Sequence, residues 1–158
     1  MSLSLTSAAF ADGSPIPARH TCDGADASPP LRWTGAPPTT KTFALICDDP
    51  DAPGGTWVHW VLFNISAEQD HLPEGVATFE LLRELGGARQ GVNDSRTTGY
   101  SGPCPPPGKP HRYFFKLYAL DAELPLKSKV VKADVERAME GHVLASAELM
   151  GSYHRPKH

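Results

Sequence analysis

Proline and glycine are the residues that most constrain how this 158-residue chain can fold. It contains 16 prolines and 14 glycines, and they cluster between short apolar runs instead of being spread evenly. Proline lacks a backbone donor, and both residues interrupt regular structure. The pattern disfavours a helical bundle and predicts a mainly β domain of many short strands joined by shaped loops.

Four apolar segments predict strands: Thr42–Cys47, Trp57–Ile65, Arg112–Leu120 and Val143–Tyr153. Trp57–Ile65 is apolar on both faces and rich in aromatic and β-branched residues, so we place it in the middle of a sheet. Helix signals are weaker. Lys132–Glu140 has helical spacing and a glycine stop, and Thr78–Leu85 is a second candidate. The sequence therefore predicts a β-sandwich with one or two short peripheral helices.

Length and charge limit the organisation and the partners. At 158 residues, the chain is expected to form one domain spanning residues 1–158. A net charge of −3 and a pI near 6.1 disfavour binding to nucleic acid or to an anionic membrane. No apolar run approaches the roughly 18 residues of a membrane span, and the N-terminus lacks signal-peptide character. We expect a cytoplasmic protein without an integral membrane segment.

Three cysteines, Cys22, Cys47 and Cys104, occur without a C-x-x-C motif. This excludes a zinc-ribbon pattern or a thioredoxin-type pair at the level of sequence. In a cytoplasmic chain, reduced thiols are the ordinary state. No cofactor or metal motif is visible, and none is expected.

The stretch DDPDAPGG (Asp48–Gly55) places three acidic residues in a stiff loop between two apolar strands. If those strands are neighbours, Asp49 and Asp51 lie at one end of the sheet, close to His59. A carboxylate that orients an imidazole is a common arrangement around functional sites. Asp48 and Asp51 are expected to be solvated or to cap amides of the loop itself.

His59 is the one polar residue inside the predicted central strand. By alternation it shares a face with Val61 and Phe63. Two interpretations are open: a core histidine satisfied by a backbone carbonyl, or a site residue held by the acidic loop.

The segment GYSGPCPPPGKPHRYFF (Gly99–Phe115) forms a second candidate cluster. Its prolines leave the loop few conformations, so the side chains that follow lose little entropy on binding. His111 and Tyr113 have the same parity and are predicted to face the same side, with Arg112 opposite. The alternatives are a plain surface loop before an aromatic core strand, or a polyproline II ligand.

Enzyme templates fit poorly. Ser101 lies in GYSGP, which lacks the last glycine of G-x-S-x-G. Cys104 could act as a nucleophile with His111, but nothing in the sequence lowers its pKa. A zinc site from His59, His111 and an aspartate has no recognisable ligand spacing. We therefore predict a protein that is not an enzyme.

Several motifs together resemble the phosphatidylethanolamine-binding protein (PEBP) family, in its bacterial and archaeal Raf-kinase-inhibitor-like branch. The segments are DPDAP (Asp49–Pro53), VHW (Val58–Trp60), GPCPPPGKPHRYFFKLYALD (Gly102–Asp121), TCDGADASPPLRW (Thr21–Trp33), NIS (Asn64–Ser66) and GHVLASAELMGSYHR (Gly141–Arg155). They occur in the order of the family and span nearly the whole chain.

The resemblance implies an antiparallel Greek-key β-sandwich with a small anion pocket at one end. The residues that it assigns to ligand binding are Asp49, Pro53, His59, Gly102, Pro103, His111 and Tyr113. Histidine and tyrosine can donate to phosphate oxygens, and Asp49 would hold a histidine in the donating form. The implied ligands are phosphate, phosphoethanolamine-type head groups or nucleotides.

The resemblance leaves three functions open. A non-catalytic anion-binding module is the first, and an inhibitor of a kinase or protease that uses the pocket face is the second. A hydrolase or lyase built on Asp49, His59 and His111 is the weakest. Two states of the cysteines also remain open: three reduced thiols, or a conditional disulfide between Cys22 and Cys104 near the rim. A monomer or a homodimer fits equally.

Overall fold

The computed structural model describes residues 2–156. Its regular elements, in chain order, are β1 (Ser4–Thr6), β2 (Ser14–Pro15), β3 (Leu31–Thr34), β4 (Thr42–Asp49), β5 (Trp57–Ser66), β6 (His71–Leu72), β7 (Leu81–Leu82), β8 (Ala88–Gln90), β9 (His111–Leu120), α1 (Lys132–Met139) and β10 (Val143–Tyr153). Single 3-10 turns lie at Ala18–His20 and Arg83–Leu85. No helix within residues 2–156 has the length and apolar character to cross a bilayer.

A seven-stranded sheet carries most of the fold, in the order β2-β10-β9-β4-β5-β8-β7. Strands β4, β5 and β9 lie at its centre and pair antiparallel. Every residue of β4 is buried, as expected for an apolar strand covered on both faces. The end of β4, the start of β5 and the start of β9 therefore lie together at one end of the sheet.

Two apolar layers cover the central sheet. A three-stranded sheet, β1-β3-β6, lies over one face, where Trp33 packs against Phe43 with ring centroids 5.3 Å apart. On the other face, α1 buries Val135 and Met139 in a second cluster with Ile46. The mainly β fold predicted from the sequence is confirmed, and the second layer explains why β4 is buried on both sides.

The strands predicted from the long apolar runs are confirmed. Val143–Tyr153 has the predicted bounds, and the other strands extend the prediction by one or two residues. Helix α1 ends one residue before the predicted boundary. The short strands β1, β2, β3, β6, β7 and β8 were not predicted, because two to four residues carry too little periodic signal.

The helix predicted over Thr78–Leu85 is wrong. Leu81 and Leu82 pair with β8 instead, and only the last three residues form a 3-10 turn. The side-chain amide of Gln90 donates to the carbonyls of Ala77 and Phe79 at 2.7 and 2.8 Å. Those carbonyls are therefore unavailable to a helix, and tertiary contacts override the local spacing.

The face predicted for His59 is also wrong. Cys47 pairs with Trp60, but the next residue, Asp48, pairs with Val58. His59 is therefore the extra residue of a β-bulge, which breaks the alternation along β5. Its ring turns away from the Val61 side of the sheet and contacts Tyr113 of β9, with ring centroids 5.1 Å apart.

The cysteines differ from the expected set of three thiols. Cys22 and Cys104 form a disulfide across a sequence separation of 82 residues, so the conditional alternative is the one that the structure contains. Cys47 is a free, buried thiol, and burial raises its pKa. The expectation failed because compartment statistics cannot show that two loops meet.

Candidate functional site

A cavity of about 370 Å³ opens at the end of the sheet where β4 ends and β5 and β9 begin. Of the residues predicted to bind a ligand, those that line it are Asp49, Pro53, His59, Gly102, His111 and Tyr113. Pro103 does not line the cavity: it is buried, and its carbonyl accepts the backbone N–H of Cys22 at 3.1 Å. Its predicted contact role is therefore wrong, and it joins two loops behind the wall.

Asp49 and His111 form a buried pair at the floor of the cavity. His111 Nδ1 lies 2.7 Å from Asp49 Oδ2, with side-chain exposures of 12% and 4%. The second carboxylate oxygen accepts the N–H of Asp51 at 2.7 Å. Because the carboxylate can only accept, Nδ1 of His111 carries the proton and Nε2 is left for a ligand. The predicted carboxylate–imidazole pair thus exists, with His111 and not His59.

Asp51 holds the acidic loop against β9. Its two oxygens accept from the Nε and Nη2 atoms of Arg112, each at 2.9 Å. The hydrogen bonds from Arg112 lower the pKa of Asp51. This pair fixes the loop that carries Asp49, and it replaces the solvated role predicted for Asp51.

His59 is held by the proline loop. Its Nδ1 lies 2.6 Å from the carbonyl oxygen of Ser101, which can only accept, so Nδ1 carries the proton. Burial lowers the pKa of His59, while the Ser101 carbonyl and the nearby carboxylates of Asp49 and Asp26 oppose that shift. The neutral ring therefore presents Nε2 as a hydrogen-bond acceptor. A backbone carbonyl thus satisfies His59, as the first interpretation expects. His59 also lines the cavity, but the proline loop holds it and not the acidic loop.

Tyr113 completes the floor. Its side chain is buried, and its ring stacks against His111 with centroids 6.5 Å apart. Burial raises the pKa of Tyr113, and the charge of Asp49 adds to this effect. The phenol stays protonated and can donate a hydrogen bond to a ligand. The shared face predicted for His111 and Tyr113 is confirmed.

The wall and the mouth include Cys22, Cys104 and Pro105, and also residues that sequence reasoning missed: Asp26, Ala52, Trp57, Ser95, Ser101 and Pro106. Asp26 accepts the N–H of Gly102 at 2.8 Å. Trp57 is 42% exposed and stands at the mouth. Ser95 and Ser101 share a hydrogen bond between their hydroxyls at 3.2 Å. Apart from Asp26, which lies within the motif TCDGAD, the missed residues show no sequence pattern that indicates a cavity.

Asp48 serves the opposite face of the sheet. It is buried and lies 3.3 Å from Lys116 Nζ and 2.8 Å from Lys132 Nζ. The expectation of a solvated Asp48 is wrong, because alternation along β4 points it away from the cavity. It links α1 to the sheet and takes no part in the site.

The polar groups around the cavity differ in which of their atoms are already engaged in hydrogen bonds. Across residues 2–156 no cluster of three or more histidine, cysteine or carboxylate groups has the arrangement of a metal site. Asp49 is already occupied by His111 and the Asp51 amide. The remaining free groups are two imidazole nitrogens, a phenol, hydroxyls and one oxygen of Asp26, which can exchange hydrogen bonds with a polar ligand.

Comparison with known proteins decides the family. The phosphatidylethanolamine-binding protein family model matches residues 6–154. The chain belongs to this family.

Similar proteins cover nearly the whole PEBP chain. A UPF0098 protein of Methanothermobacter thermautotrophicus is 54% identical over 97% of this chain and 99% of its own. A UPF0098 protein of Chlamydia muridarum is 45% identical over 96% and 98%. Among solved structures, Escherichia coli YbcL, described as a new member of the mammalian PEBP family, has a TM-score of 0.90 at 36% identity, covering 98% and 99%. The PEBP homologue CT736 of Chlamydia trachomatis has a TM-score of 0.88 at 41% identity, covering 98% of each chain.

Proposed function

We propose that this PEBP-family protein binds small oxyanions, such as phosphate or a phosphoryl head group, in the cavity between His59 and His111. The observation that carries the proposal is the Asp49–His111 pair at 2.7 Å. The carboxylate holds Nδ1–H of His111 and leaves Nε2 for a ligand, and Nε2 donates to an oxyanion when the ring carries a second proton. The Tyr113 hydroxyl supplies a second donor beside it.

The proposal is for binding without turnover. The thiol of Cys104 is held in a disulfide, and the Ser101 hydroxyl is bonded to that of Ser95. Neither of these serine hydroxyls donates a hydrogen bond to His59, whose Nδ1–H donates to the Ser101 carbonyl. An activated nucleophile needs a base in contact with it, and these contacts support a binding role.

Calorimetry with inorganic phosphate tests this function. Wild-type protein is expected to bind phosphate with a measurable heat, and His111→Gln to weaken binding at least about tenfold, because a charged hydrogen bond is lost. His142→Gln is the matched control, since His142 is exposed and pairs with Asp121 away from the cavity. Absence of heat at millimolar phosphate, or equal weakening in both variants, would reject the proposal.

A second candidate function is inhibition of a kinase or protease by docking at the mouth. One observation favours it: Trp57 leaves 42% of its surface exposed beside the mouth, and exposed aromatic residues are common anchors of protein interfaces. Trp57→Ala should abolish inhibition in a panel of kinases and proteases while phosphate binding persists. Inhibition that is unchanged in the variant would remove this candidate.

A further inference from the structure

We infer that the cavity selects oxyanions that carry a proton, and that Asp26 is the residue that determines this selectivity. The inference rests on the proposed function and names the class of ligand. It follows from an inventory of which polar atoms around the cavity donate and which accept. An oxyanion site built only of donors would have no such preference.

Asp26 brings a carboxylate to the cavity with one oxygen free. Its Oδ1 accepts the N–H of Gly102 at 2.8 Å, and no hydrogen bond to its Oδ2 occurs within residues 2–156. The backbone of Asp26 lies in the left-handed region, with φ of 55°, and a side chain at Gly102 would collide with Oδ1. The geometry therefore places an unpaired acceptor on the wall of an anion site.

The two carboxylates of the cavity have different roles. Both oxygens of Asp49 are occupied, by His111 and by the Asp51 amide, so its charge is directed to the imidazole. Asp26 has no cationic partner among the ion pairs of the described chain. A bare anion beside it is repelled, whereas a ligand O–H replaces that repulsion with a hydrogen bond.

His59 is a second acceptor. With the Nδ1 proton donated to Ser101, the neutral ring presents only the lone pair of Nε2 to a ligand. The charge of Asp26 acts on His59, because the two groups are near neighbours. A fully deprotonated anion offers no proton to either acceptor. Hydrogen phosphate, or a singly protonated phosphomonoester, offers one to Asp26 or His59 and accepts from Tyr113 and His111.

A comparison of phosphate with sulfate distinguishes selectivity for a protonated oxyanion from simple charge attraction. At pH 7.5 inorganic phosphate is chiefly a dianion with one P–OH group, and sulfate is a dianion of similar size and shape with none. A site with an acceptor that must be satisfied rejects the ligand that lacks the donor. Because Asp26 is exposed at the mouth, we expect about a tenfold difference in Kd, well below that of a sealed site.

Isothermal titration of the full chain with sodium phosphate and sodium sulfate at pH 7.5 and fixed ionic strength tests the inference. Wild type is expected to bind phosphate at least about tenfold more tightly than sulfate. Asp26→Asn keeps an oxygen for Gly102 and turns the free position into a donor. This variant should gain affinity for sulfate and lose most of the preference. Asp23→Asn is the matched control, because Asp23 pairs with Arg155 and does not line the cavity.

Each outcome of the titrations either supports or overturns a stated part of the inference. Equal wild-type affinities for the two anions would overturn the inference while leaving the proposed function standing. A preference that survives Asp26→Asn unchanged would overturn the role of Asp26. Binding of neither anion would overturn the inference together with the proposed function. The wild-type ratio requires no variant, so the inference stays testable even if Asp26→Asn fails to fold.

Discussion

Asp48, Asp49 and Asp51 lie within four positions, at the end of β4 and in the turn that follows it, yet each carboxylate meets a different partner. Asp48 faces two lysines beneath α1, Asp49 faces His111 and Asp51 faces Arg112. Alternation along β4 separates the first two, and the turn that follows redirects the third. The acidic stretch is therefore one structural contact, one site residue and one loop anchor.

Asp49→Asn should weaken phosphate binding at least about tenfold with little loss of stability. The substitution keeps the shape but removes the negative charge that the Nδ1–H of His111 meets. Calorimetry measures the Kd, and Asp121→Asn is the matched control, because Asp121 pairs with His142 in an exposed carboxylate–imidazole pair away from the cavity. Similar losses in both variants would mean that the Asp49–His111 pair does not govern binding.

Asp48→Asn should show the reverse pattern. Removing the charge leaves two lysine ammonium groups without their buried partner, which destabilises a fold by about 2–4 kcal/mol. We expect that decrease in the free energy of unfolding in urea, with an unchanged Kd for phosphate. The control is Asp70→Asn, where both members of the Arg32 pair are 64% exposed and no measurable change in the free energy of unfolding is expected. A stable Asp48→Asn variant would show that the buried pair contributes nothing.

At the scale of elements, the site depends on two irregular features. The bulge at His59 turns its ring toward β9, and the proline loop holds that ring through the Ser101 carbonyl. Between Pro103 and Gly108 the described structure shows no backbone hydrogen bond from the loop to the rest of the fold. The Cys22–Cys104 disulfide therefore holds this part of the rim.

Reduction of that disulfide should lower the free energy of unfolding by about 2–5 kcal/mol, because cross-linking residues far apart in sequence restricts the unfolded chain. Urea unfolding with and without dithiothreitol measures the difference. The Cys22→Ser, Cys104→Ser double variant should match the reduced protein and ignore the reductant. A reductant effect that persists in the double variant would assign it to another cause.

A secondary-structure element can be predicted from the sequence when its pattern extends over many residues of the element itself. Long strands such as β5 and β10 can be predicted, since burial imposes a hydrophobic pattern on many of their residues. The bulge at His59 does not, because it is defined by pairing with β4 and not by any residue of β5 alone. The helix expected over Thr78–Leu85 does not form for a similar reason. The side-chain amide of Gln90, which lies outside the segment, donates to the carbonyls of Ala77 and Phe79.

For the whole molecule, the family motifs located the floor of the cavity but not its mouth. Asp49, His59, His111 and Tyr113 were found because each lies in or beside a recognisable strand. Asp26, Trp57 and Ser95 come from separate parts of the chain that meet only in the folded protein, so no spacing reveals them. Asp26, which we infer to select the ligand, is thus among the residues least visible in the sequence.

Stability of the whole molecule should fall as pH decreases from 7 to 5. Burial lowers the folded-state pKa of His59 below 6.5, so the unfolded chain takes up the proton first. This contribution is present above the unfolded pKa and is lost as pH falls below it. Urea unfolding at several pH values should give a shallower slope for His59→Gln than for wild type. Equal slopes would indicate that His59 does not titrate differently on folding.

Nitrogen-15 NMR of the histidine rings during a phosphate titration tests whether the cavity binds an anion. We expect the Nε2 signals of His59 and His111 to shift together and saturate, while those of exposed His142 stay fixed. This result would place the anion between the two rings that line the cavity. Ring signals of His59 and His111 that move no more than those of His142 at millimolar phosphate would show that the anion does not bind there.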